Sequence, residues 1–230
     1  MDKDRIRESN ERIGRLKLSG AHILSGKKGR EAYSKLKPKL LENTPLNLHH
    51  IFDRPIYVSE SIMGVGTTAY KDGIEIVVIN ENSARLRYVN PPCPLVKCKI
   101  PNRQDTFDNT VAHEFGHIIY HELLNPEIAK KYAGHYDWFG DNTFVEAFAF
   151  FFGDRISGYI NNVRIMFPGY TEGDCPPCHR THLRQMYFHL HRQTKSKSIK
   201  DIVMGLEDIF GQFMEENNRK FWEKYNSNKS

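Results

Sequence analysis

No stretch of this chain approaches 18 consecutive apolar residues, so no membrane-spanning helix is expected. The opening residues, MDKDRIRESNER, are charged from the second position and lack an apolar h-region. No secretory signal is read there. Both absences point to a cytoplasmic or virion-associated protein. No internal repeat and no low-complexity tract is present, which sets repeat architectures aside. Cysteine is scarce, with 4 in 230 residues, and falls in two close pairs.

What is present describes a globular chain. Hydrophobic residues make up 39%, charged residues 27% and aromatics 12%, enough for one sizeable domain with a bulky core. Charge is uneven. Residues 1 to 40 carry 12 Lys/Arg against 5 Asp/Glu, or +7, which leaves −2 for the rest of a chain totalling +5. Residues 1 to 45 therefore read as a basic helical segment and 46 to 230 as the main domain. Such an arm can touch nucleic acid or an acidic partner, or it can be a solvated helix surface.

Helical patterns cover 3 to 18 and 29 to 42, separated by SGKKGR. From residue 55 the pattern turns to strand. Lys71-Asp72-Gly73 is a hairpin signal, and IEIVVI, 74 to 79, is the clearest strand. A long loop over 80 to 104 holds the first cysteine pair. A helix is expected from Thr106 or Asp108 to Leu124, a short one over 127 to 132, and a long one from after Asn142 to Tyr159. Residues 161 to 178 read as irregular, followed by helices over 179 to 194 and 198 to 225.

The first long helix contains VAHEFGHIIYH, with a His-Glu-x-x-His motif at 113 to 117. A shuffled chain this rich in histidine would produce it in roughly a few per cent of cases, so its surroundings must decide. His113 and His117 stand one turn apart and share a helix face. That spacing lets two imidazoles reach one Zn²⁺ at about 2.0–2.1 Å. Glu114 can reach a metal-bound water without ligating the metal. Val111, Phe115, Ile118 and Ile119 can face a core, and Gly116 leaves room for another backbone. Position 123 is Leu, so no third histidine of the HExxHxxGxxH type follows. In NTFVEAFAFFFGD every residue from Phe144 to Phe152 is apolar except Glu146. A carboxylate buried there needs a partner. It is a third metal ligand, or it pairs with an arginine or caps a backbone.

HEFGH followed by FVEAFAFF resembles the gluzincin metallopeptidases, and among them the group related to the anthrax lethal factor catalytic domain. The resemblance spans roughly residues 110 to 154. It implies an α+β, zincin-like fold with a small mixed sheet, an active-site helix and a downstream glutamate helix, here with extra N- and C-terminal helices. It implies His113, His117 and Glu146 as ligands of a catalytic zinc, Glu114 as general base, and Tyr136 as a residue that helps stabilise the oxyanion. It also implies that strand 74 to 79 is the edge to which a peptide substrate adds. The expected activity is zinc-dependent endopeptidase cleavage. A different class of function would be a structural or regulatory protein in which zinc is a folding staple.

Cys93 and Cys98, with Cys175 and Cys178, can form a second, four-thiolate structural zinc site. They can equally form two local disulfides, or CPPC can be a redox dithiol. His179 and His182 could replace one cysteine. His121 and His135 read as surface or supporting histidines.

Overall fold

The computed structural model describes residues 20–60, 66–80, 106–123, 140–158 and 179–227, together with Leu18. Within them the fold is α+β, mostly helical, with one small mixed sheet of four strands. The order is β1 (His22–Ile23), α1 (Lys27–Glu42), a 3₁₀ helix (Leu46–Asp53), β2 (Ile56–Ser59), β3 (Gly66–Lys71), β4 (Ile74–Asn80), α2 (Thr106–Leu123), α3 (Gly140–Ser157), α4 (His179–Gln193), α5 (Ile199–Met204) and α6 (Leu206–Ser227). The expected helix over 3–18, the loop at 81–104, the short helix at 127–132 and the segment 161–178 lie outside the described residues.

Strands run in the order β1-β2-β4-β3, with β2 and β4 parallel and the other two pairs antiparallel. Lys71 pairs with Ile74, so the hairpin turns on Asp72 and Gly73 alone. Both have positive φ, 53° and 77°, as a two-residue type I′ turn requires. One expectation fails here. IEIVVI is not an edge strand: β4 is held on both sides, by β2 and by β3. Its apolar run from Ile76 to Ile79, buried throughout, is that of a strand inside the sheet. Among the described residues, β3 is the edge strand on that side.

Alternation sorts the sheet into two faces. Ile56, Val58, Val77 and Ile79 join the main core with the helices, while Tyr57, Ala69, Ile76 and Val78 pack with Leu18 and Ala21 on the other side. Helix α1 belongs to the main core although its sequence is basic. Leu36 and Leu40 are fully buried, and the Tyr33 hydroxyl donates to the Phe52 carbonyl at 2.6 Å. Phe52 meets Phe115 of α2 edge-on at 5.1 Å. The expected helix over 198–225 is two helices. A Ser198–Asp201 capping box starts α5, and the chain leaves helical geometry at Gly205 before α6 begins.

Helix α4 packs on α3 through a half-buried imidazole. His191 lies 4.2 Å from the Tyr187 ring and 5.1 Å from Phe151, and its buried Nε2 has no hydrogen-bond partner among the described residues. Burial, aided by the Arg155 charge, lowers its pKa from 6.5 to about 4. The unfolded chain therefore binds a proton that the folded chain refuses. This contribution is complete above about pH 6.5 and is lost as pH falls toward 4. Urea unfolding is expected to show a loss on the order of 1–2 kcal/mol between pH 7 and 4.5 that is absent in His191→Phe. Parallel acid limbs in the two proteins would refute it.

Candidate metal centre

Helix α2 presents different residues to its two neighbours because its period is 3.6 residues. Asn109, His113 and Gly116 face α3, Thr110 and Glu114 face the sheet, and His113 and His117 lie along the partly open strip between. Val111, Phe115, Ile118 and Ile119, on the opposite side, are fully buried, as their spacing predicts.

Two glycines set the distance between α2 and α3. A Cβ on Gly116 would stand 2.8 Å from the Ala149 Cα, and a Cβ on Gly153 would stand 3.0 Å from the Asn109 carbonyl oxygen and 3.2 Å from the His113 Cβ. The helices touch backbone to backbone at both points. That contact brings Glu146 over the histidines. His113 Nε2 lies 3.5 Å from Glu146 Oε2, His117 Nε2 lies 3.6 Å from Glu146 Oε1, and the two Nε2 atoms are 3.1 Å apart. A tetrahedral zinc with ligands at about 2.1 Å has edges of about 3.4 Å between its ligand atoms. Each imidazole thus faces its own oxygen of the Glu146 carboxylate at about that edge length, and one donor atom from each of the three residues lies within 4.8 Å of the others, a spacing at which three side chains can share one ion and leave a fourth position open. It is the one cluster of three potential metal-ligating side chains found among the described residues.

Glu146 is less buried than its apolar neighbours in sequence imply. Its side chain is 40% exposed, against 14% and 12% for the two histidines. Within Phe144–Phe152 only Glu146 and Phe150, one turn apart, are partly open; together they line the mouth of the site. The Phe150 ring packs on His113 at 4.5 Å.

Electrostatics leave the triad nearly ready for a cation. Burial, reinforced by the neighbouring His113, lowers the His117 pKa to about 4, so its lone pair is free at neutral pH. Burial works against the Glu146 carboxylate, but His113 and His117 outweigh it and hold its pKa below the ordinary value. His113 goes the other way. Burial favours its neutral form, but Glu146, Glu114 and Asp154 overcome that and raise its pKa. A proton and a cation therefore compete for His113.

Glu114, the expected base, is 3% exposed and buried between α2 and the start of β3. Three features escaped the sequence reading. Buried Asp154 accepts hydrogen bonds from the Tyr187 hydroxyl at 2.6 Å and from Asn109 at 3.1 Å, tying α2, α3 and α4 together behind His113. Burial and the Asp154 charge push the Tyr187 phenol far up. Glu75 on β4 is 6% exposed and receives His121 Nδ1 at 3.0 and 3.1 Å. Its signal was available, as a lone carboxylate inside the most apolar strand, and it makes His121 a paired histidine. Third, Gly66 lies against Glu114. Tyr136, His135, Cys93, Cys98, Cys175 and Cys178 lie outside the described residues, as do the side chains of His179 and His182.

Comparison with protein-family models, with curated proteins and with solved structures finds no match to this chain. No described helix is long and apolar enough to cross a membrane.

Proposed function

We propose that this chain is a zinc-dependent endopeptidase of the zincin type. The observation that carries the reading is the convergence of His113, His117 and Glu146, with donor atoms within 4.8 Å of one another, and a buried glutamate next to the first histidine. His113, His117 and Glu146 would hold the ion, and the donor set of two imidazoles and one carboxylate suits zinc with one position open. Bound zinc supplies a lowered water pKa, toward about 7, and polarises a carbonyl. In this reading Glu114 takes the proton of the attacking water and delivers it to the leaving amine. Among the described residues β3 is the edge strand, and an extended peptide that added to it by backbone pairing would run beside Glu114. Tyr136 remains the proposed oxyanion partner, and the basic arm a proposed contact for an acidic or nucleic-acid partner.

Zinc is expected to bind, with the described triad accounting for one equivalent that is lost in His117→Ala and in Glu146→Ala. Because zinc competes with protons for its imidazole and carboxylate ligands, calorimetry in buffers of different ionisation enthalpy should show proton release on binding, and affinity falling as pH is lowered. A second equivalent lost in Cys178→Ser would assign the cysteines to a structural site. The activity test is a mixed library of unstructured peptides. Cleavage should stop with chelator and return with zinc. Zinc binding without cleavage of any peptide would favour the structural role, with zinc as a folding staple.

A further inference from the structure

Strand β3 begins at Gly66, and its first residue rests on two side chains one turn apart on α2. A Cβ built on Gly66 would lie 2.7 Å from Glu114 Oε1, 2.9 Å from Glu114 Cγ and 2.8 Å from Thr110 Cγ2. Real Cβ atoms do not come so close, so a side chain there would have to displace something. The glycine is not needed for its backbone angle, since its φ lies outside the left-handed region that favours glycine. It is needed for space, and the atom that fills the space is the carboxylate of the expected base.

We propose that Gly66 is a positioning residue for Glu114: the bare backbone at the start of the edge strand lets the carboxylate lie flush against it and fixes where the base stands. This rests on the peptidase reading for its catalytic meaning, while the contact stands on geometry alone. Of the two side chains in the way, Thr110 is stiff, because two heavy atoms on its Cβ restrict χ1. It is also buried, with 5% exposure. The glutamate has more torsions to give. A methyl group at position 66 therefore turns the carboxylate out of place or lifts the strand start from α2. Neither motion touches His113, His117 or Glu146 directly. The base is misplaced while the metal ligands stay.

Two measurements test this. The first is thermal stability of the zinc-loaded protein in a Thr110→Ser background, which removes Cγ2 and leaves Glu114 as the obstacle. Gly66→Ala is expected to lower Tm by about 2–8 °C when Glu114 is present and by clearly less in Glu114→Ala. Equal losses in both backgrounds would overturn the contact. The second is kinetic, with a cleaved peptide. Gly66→Ala in the otherwise native chain is expected to lower kcat by about 10- to 100-fold. KM and zinc stoichiometry should be unchanged, and the substitution should add no further loss in Glu114→Gln. Unchanged kcat, or a loss that follows zinc content, would overturn the positioning role. A native chain that cleaves nothing counts against the peptidase reading alone, and the stability cycle then decides the Gly66 contact. If Gly66→Ala alone fails to fold, the kinetic comparison moves to the Thr110→Ser background.

Discussion

Glu114→Gln is expected to lower kcat by about 10²–10⁴-fold while the protein still binds zinc at the triad. The substitution keeps the shape of the side chain and removes its ability to take a proton. Glu114 contributes no atom to the cluster of His113, His117 and Glu146, so metal content should not change. The carboxylate is 3% exposed, which leaves bulk buffer little room to stand in for it. The assay is steady-state cleavage with metal content measured on the same sample. Normal turnover would remove Glu114 from the mechanism. Loss of zinc would show that it supports the metal.

Gly116→Ala is expected to weaken zinc binding by at least about ten-fold and to destabilise the metal-free protein by about 1–2 kcal/mol. Two effects compete. Alanine in place of glycine inside a helix gains about 1 kcal/mol of intrinsic preference. Against it stands a Cβ only 2.8 Å from the Ala149 Cα. That is a backbone atom of a packed helix, which cannot rotate aside, and overpacking of this kind costs about 1–3 kcal/mol. The contact wins because α3 must move, and when it moves Glu146 leaves the two histidines. Gly211 in α6 provides the control. A Cβ there meets nothing within 4 Å, so Gly211→Ala should stabilise by up to about 1 kcal/mol with zinc affinity unaltered. Urea unfolding and competition titration of zinc measure both variants. Equal behaviour of the two glycines would refute the contact.

The two helices of the candidate metal site were readable in the sequence because their information is local. The spacing of His113 and His117, the apolar face behind them and the lone glutamate in FVEAFAFF are each contained within a few helical turns. Gly116 was legible for the same reason: a glycine between two candidate ligands has few other uses. Strand order was not legible. IEIVVI stood out because it is central and buried, and that same property disqualifies it as an edge. The edge among the described residues, GTTAYK, has a weaker pattern because most of its residues are partly exposed. Gly66 carries no local mark, since its partners Thr110 and Glu114 lie more than forty residues further along the chain. Asp154 was passed over because it follows the apolar run, and its partners Asn109 and Tyr187 sit on other helices.

Two imidazoles and a carboxylate, held at the spacing described, also discriminate among ions by hardness. Calcium and magnesium seek six or more oxygen ligands and have little to gain from such a trio. Copper and nickel are another matter. Along the divalent series copper outranks zinc at nitrogen and oxygen sites in general. The donors themselves therefore do not enforce zinc. Which ion such a site would hold is then decided by supply, and a chain that had passed over immobilised nickel or copper would carry the ion of the column in place of any other.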